Sequence, residues 1–200
     1  MLHALDETLK KLLQEQFPRD VLRDMNLKPS NLKISFETPY KGGIEKPAIN
    51  LFLYDVRENL ELRNTNSIVE RNHNGKALKK RPPARVDCSY LITAWSANDN
   101  SSTEHQLLGG VMKLLLRHPR IPTAFLVDEL QGQEPPLRLV SLRPSNLQSF
   151  GEFWQAMGGK DGTKPKVVLH CTVTISVPVD ETGEEVGLVG VYQPSLRSGS

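Results

Sequence analysis

Val86-Asp87-Cys88-Ser89-Tyr90-Leu91-Ile92-Thr93-Ala94-Trp95 decides the fold. Val86, Cys88, Tyr90, Ile92 and Ala94 fall on one face of an extended chain, so the stretch reads as a strand with an apolar side. Asp99-Asn100 ends it. Ser101-Ser102-Thr103-Glu104 then matches a capping box, in which the serine bonds the third amide and the glutamate reaches back, so a helix starts there. That helix carries Leu107, Leu108, Val111, Met112, Leu114 and Leu115 and stops before Pro119. Gly109-Gly110 in its middle lowers its intrinsic stability by roughly 1 kcal/mol per glycine and points to close packing against another backbone.

On the N-terminal side, Leu2, Leu5, Leu9, Leu12, Leu13 and Phe17 recur at helical spacing until Pro18, which predicts an amphipathic core helix. Leu32, Ile34 and Phe36 alternate as a short strand. Ala48 to Val56 is apolar on both faces, as a strand in the middle of a covered sheet would be. From Glu58 to Arg85 the chain is polar, with Ile68-Val69 inside it and Asn74-Gly75, a hairpin turn signal, near its centre. A structureless loop of that length is uncommon in a compact domain, so residues 58–85 are expected to form an extended hairpin or arm. Residues 71 to 85 carry Arg71, Lys76, Lys79, Lys80, Arg81 and Arg85 and no acid.

On the C-terminal side, short strands are expected at Ala124 to Leu126 and Leu137 to Leu142. Ser145-Asn146-Leu147-Gln148 is a second capping box, opening a helix that ends at Gly158-Gly159. Val167 to Val177 alternates throughout and predicts a strand with one buried face. Asp180 to Glu185 is an acidic turn, Val186 to Tyr192 a further strand, and residues 193–200 a disordered tail. The fold class is therefore α+β (mixed α/β): a mostly antiparallel or mixed sheet covered by about three helices, with a protruding basic hairpin, in one domain over 1–192.

The chain has 200 residues, 38% apolar and 24% charged, with 25 Lys plus Arg against 23 Asp plus Glu. That balance gives no global pull toward nucleic acid or an acidic membrane. Two distant cysteines without Cys-x-x-Cys spacing argue against a zinc ribbon or disulfide scaffold and fit a reduced, cytosolic setting. The N-terminus lacks the basic and apolar regions of a secretory signal, and no stretch is apolar enough to insert in a bilayer.

Signals for catalysis are missing. The five histidines follow no metal-ligand spacing, and His170 and Cys171 point to opposite faces of a strand. No Gly-x-Ser-x-Gly elbow or phosphate loop occurs. The residues give no catalytic, cofactor or metal site, and the chain is not expected to be an enzyme. The basic run carries enough charge for a salt-sensitive nucleic-acid contact but no aromatic to stack on bases, so docking to an acidic protein surface is the sharper reading.

Several blocks in order carry a family likeness: Leu53-Tyr54, Glu58-Asn59, Leu62-Arg63-Asn64, Pro82-Pro83 before Asp87, Tyr90-Leu91, Thr93-Ala94, Glu104, Leu107-Leu108-Gly109 and Pro119. Over residues 3 to 178 the chain resembles the tail terminator, or cap, proteins of extracellular contractile injection systems, the phage-tail-like particles of the virulence-cassette and antifeeding-prophage type. The resemblance implies a phage tail-terminator-like fold and a non-enzymatic ring, by analogy hexameric. Such a ring would sit on the distal end of inner tube and sheath, end their polymerisation and stabilise the particle. Its partners would be copies of itself and the terminal sheath and inner-tube subunits. Assembly would be cytoplasmic, in a particle released or held at a membrane through other proteins.

A heterologous contact repeated around a closed rotation leaves a ring with two different faces, which suits that role. The expected interface residues are Arg57, Asn59, Arg63 and Asn64, where the arm leaves the strand, and Arg71, Lys76, Lys79, Lys80, Arg81 and Arg85 along it. The alternatives are a nucleic-acid-associated adaptor using arm 71–85, or another oligomeric scaffold protein.

Overall fold

A computed structural model describes residues 1–39, 44–66, 68–71, 76–142, 152, 154–155, 166–179 and 184–187. The central strand is the one read first from the sequence: β5 (Ala84–Trp95), flanked by β2 (Ala48–Glu58) and β7 (Leu169–Val177), with β1 (Lys33–Ser35) and β6 (Arg138–Ser141) at the edges. The order is β1-β2-β5-β7-β6. Only the β1–β2 pair is parallel. Ala48 to Val56 lies inside the sheet as expected but beside its middle, and β2 is buried only over Ala48 to Leu51.

Alternation explains the core. Cys88, Tyr90, Ile92 and Ala94 share one face with Ile49 and Leu51 of β2 and with Cys171, Val173 and Ile175 of β7. Two helices cover that face: α1 (Leu2–Gln16) with Leu5, Leu9 and Leu12, and α3 (Ser101–Arg117) with Leu107, Val111 and Leu114. Each fully buried side chain of this kind contributes about 1.5–3 kcal/mol by leaving water. A third, short helix that the periodicity does not signal, α2 (Arg19–Asp24), follows Pro18 and ends where Asn26 takes φ 50° and Leu27 N–H bonds the Leu22 carbonyl at 2.8 Å.

α3 begins at the expected residue with different chemistry. Its N-cap is Asn100, whose side-chain oxygen accepts the Thr103 N–H at 3.1 Å. Glu104 instead accepts the Ser96 N–H at 3.2 Å and pairs with Lys166 at 2.6 Å, and the Lys166 ammonium stands 4.5 Å from the centre of the Trp95 ring. Gly110 is explained by packing, because a Cβ there would lie 2.6 Å from Phe17 Cζ. The close neighbour is a side chain rather than a backbone.

The segment 124–126 is not a strand. Thr123–Phe125 forms a 3-10 turn, since residues 119–121 already bond the outer edge of β6 through the Arg120–Arg138 bridge and Leu139 N–H to Pro119 O, after which Pro122 turns the chain away. The arm is a hairpin, β3 (Ile68–Arg71) pairing β4 (Lys76–Lys80), and β4 also pairs β8 (Glu184–Gly187) to make a second, three-stranded sheet. The last two acids of the expected turn thus belong to a strand. Asn74-Gly75, the capping box at 145–148, most of its helix, residues 180–183 and 188–192 and the tail 193–200 lie outside the described residues; Glu152, Trp154 and Gln155 within that helix are helical. Among the described residues no helix is long and apolar enough to cross a membrane.

Candidate assembly interface at the base of the arm

A β-bulge places the polar end of β2. Leu53 faces Tyr90 but Asp55 faces Ser89, so Tyr54 is an extra residue that shifts the alternation by one. In an unbroken register Tyr54 would face Ser89 and Asp55 would sit opposite Cys88 on the core face. With the bulge, Asp55 and Arg57 lie on the outer face with Ser89 and Asp87, and Arg57 Nε stands 2.6 Å from Asp55 Oδ2. Hydrogen bonding to Asp55 pushes the exposed Arg57 guanidinium further up.

The next residues form a rigid corner. Asn59 caps a 3-10 turn over Leu60–Leu62 by accepting the Leu62 N–H at 3.0 Å, and its amide donates to Asp87 Oδ2 at 2.9 Å. Its own backbone N–H donates to the Arg85 carbonyl at 2.8 Å. Arg63 closes the corner with a bidentate pair to Glu58, both bonds 2.7 Å, which holds the Glu58 carboxyl below its ordinary range. Asn64 accepts the Asn66 N–H at 2.9 Å and starts the turn toward the arm. The corner leaves Leu60 68%, Val56 46% and Leu62 40% exposed.

Asp87 is the hub beneath it, its second oxygen accepting from Thr174 at 2.7 Å. Around it the outer face of the sheet forms a polar cavity of about 220 Å³ whose lining includes Tyr54, Ser89, Arg138, His170 and Thr172. The Tyr54 hydroxyl and His170 Nδ1 are 3.4 Å apart, and burial lowers the His170 pKa. Burial likewise pushes the Cys88 and Cys171 thiols up to about 12, so both stay protonated in the core. Among the described residues no group of three His, Cys, Asp or Glu side chains is placed to hold a metal.

The expected interface residues therefore divide into two groups, with Arg85 in neither. Arg57, Asn59, Arg63 and Asn64 converge at the base. Lys79, Lys80 and Arg81 lie on or just after β4, Lys79 and Arg81 exposed, while Arg71 and Lys76 are strand residues of the hairpin. Arg85 is not an arm residue: it belongs to β5, is 8% exposed, and donates to the Ser176 hydroxyl, with burial drawing its pKa down. Gln133 fixes the same serine, accepting its N–H at 3.0 Å and donating to its carbonyl at 2.7 Å. The acidic stretch and the basic arm meet within one chain, since Lys79 stands opposite Glu184 in register. Asp87, Thr174 and Gln133 escape sequence reasoning. The only signal for Asp87 and Thr174 is polarity on the outer face of alternating strands, and Gln133, in the loop after Leu130, has none.

The base of the arm thus combines a polar outer sheet face, a corner held by Asn59 and the Glu58–Arg63 fork, and a second sheet alongside. The chain belongs to the Pvc16 N-terminal domain family, which matches residues 4–189. Among solved structures it is similar to the sheath/tube terminator of the PVC extracellular contractile injection system in its extended state, with a TM-score of 0.68 at 20% identity, covering 100% of this chain and 64% of that one. It is also similar to the tube-terminating cap of the antifeeding prophage, with a TM-score of 0.65 at 22% identity, covering 96% of this chain and 60% of that one. The chain thus spans less than two thirds of either relative. No curated protein matches significantly.

Proposed function

We propose that this chain is the terminator, or cap, of a contractile injection particle. The family match over residues 4–189, with the fold shared with a sheath/tube terminator, carries the reading. In it, residues 1–192 act as one domain, with an arm that leaves the sheet at the end of β2 and returns at the start of β5. Copies close into a ring, six-fold by analogy, seated on the terminal sheath and inner-tube subunits, and further subunits find no matching surface on the outer face. The ring assembles in the cytoplasm. The stiffened corner at residues 58–64 and the exposed cations Lys79 and Arg81 supply contact surfaces.

Removing the protein from particle-producing cells tests this by negative-stain imaging. Tubes and sheaths of irregular length with open ends are the expected result. Particles of unchanged length with normally closed ends would overturn it. The nucleic-acid reading is disfavoured by the register of Lys79 against Glu184, which places an acid beside the basic strand.

A further inference from the structure

Residues 119–121 run along the outer edge of β6, where the Ile121 N–H donates to the Leu137 carbonyl at 3.0 Å and the Leu139 N–H to the Pro119 carbonyl at 2.9 Å. These two bonds bracket Arg120 and Arg138, which stand directly opposite each other as a non-hydrogen-bonded pair. In such a pair the Cα atoms are only about 4.5 Å apart and both side chains leave the same face. That face is the polar outer one, because Arg138 is in register with Thr174 and lines the cavity of about 220 Å³.

Two arginines held side by side repel each other, and like charges directly opposite are destabilising. Both are exposed, and among the described residues neither guanidinium has an ion-pair or hydrogen-bond partner. The acids of the cavity do not relieve them. Asp55 holds Arg57 at 2.6 Å, and the two Asp87 oxygens accept from Asn59 and Thr174. Asp87 lies two strands from Arg138, about 9–10 Å at ordinary strand spacing, and Glu61 follows β2, three strands from β6.

We infer that Arg120 and Arg138 form a fork for an oxyanion, and that its occupant is an Asp or Glu side chain from an acidic segment of a partner protein. Guanidiniums side by side present N–H donors to both oxygens of a carboxylate. The cavity is smaller than the roughly 300–1,000 Å³ of small-molecule pockets, so it suits a side chain rather than a cofactor. A nucleic-acid strand would bring further phosphates against Asp55, Asp87 and Glu61, whereas a single carboxylate meets the arginines alone. The inference rests on the terminator reading only for the partner being a protein subunit.

Fluorescence anisotropy with the full chain and a labelled Glu-Ser repeat peptide tests it, beside a Gln-Ser peptide and a single-stranded DNA of equal length. Arg120→Gln and Arg138→Gln should each weaken binding of the Glu-Ser peptide about threefold to fivefold, and the double variant more than about tenfold. Lys79→Gln and Arg81→Gln remove the same charge from the arm and should leave it unchanged. Arg138→Lys keeps the charge without the fork and should retain only part of the affinity. Arg120→Glu should abolish binding while raising the melting temperature by about 1–4 °C, because an opposite-charge pair replaces a like-charge one. That gain also shows that the variant folds. Equal binding of the Gln-Ser peptide, tighter binding of the DNA at the same salt, wild-type affinity in the double variant, or no binding of the Glu-Ser peptide at low salt would each overturn the inference. Particle length in cells lacking the protein judges the terminator reading separately.

Discussion

The Asn59 side chain joins the exposed corner to the central strand: its amide donates to Asp87 Oδ2 at 2.9 Å while its oxygen accepts the Leu62 N–H at 3.0 Å. Asn59→Ala removes both bonds and strands part of a half-buried carboxylate, which should cost about 1–3 kcal/mol. Asn59→Asp should cost more, because it sets one carboxylate against another. Urea denaturation measures the loss, and faster amide exchange at Leu62 localises it. An unchanged midpoint in both variants would contradict this role.

The ion pair of Lys166 and Glu104 is 13% and 10% exposed, so little water is available to either charge once its partner goes. Lys166→Met should destabilise by about 3–5 kcal/mol, and the double variant Lys166→Met with Glu104→Leu should recover much of that. Trp95 fluorescence during unfolding reads the effect directly, as the Lys166 ammonium lies over that ring.

Adjacent glycines should respond with opposite signs. Gly109→Ala gains helix propensity in open space and should stabilise by about 0.4–1 kcal/mol. Gly110→Ala drives a methyl to 2.6 Å from Phe17 Cζ, and overpacking of about 1–3 kcal/mol should outweigh the same gain. Thermal melts of the two variants on either side of the wild type are the expected result.

His170 should make the fold acid-sensitive. Burial lowers its folded pKa from the ordinary 6.5, so between 6.5 and that lower value the unfolded chain binds a proton the folded chain refuses. Stability should therefore fall as pH drops below about 6.5 and level off once the folded histidine also protonates. His170→Gln should flatten that part of the stability-against-pH curve. A variant with the wild-type slope would place the sensitivity elsewhere.

Strand β5 and helix α3 were legible because a period of two and a period near 3.6 are local properties, and β7 and α1 followed by the same rule. The short turn at Thr123–Phe125 was not legible, because the apolar run Ala124 to Leu126 fits a strand or a turn equally until the edge of β6 is seen to be taken. Arg57, Asn59, Arg63 and Asn64 could be placed at the root of the arm from spacing and family likeness. Arg85 could not be told from its exposed neighbours, because charge alone carries no record of burial.

The sequence by itself determined a helix-covered sheet with a hairpin arm, an absence of catalytic spacing and a likeness to injection-particle terminators. These depend on periodicity, turn residues and order along the chain. Only the tertiary structure decided that Asp87 anchors the corner, that Glu104 serves Lys166 rather than its own helix N-terminus, and that Lys79 faces Glu184. Each of these pairs joins groups more than twenty-five residues apart, or turns on which face a bulge exposes. Contacts of that kind exist only once distant strands have settled into register.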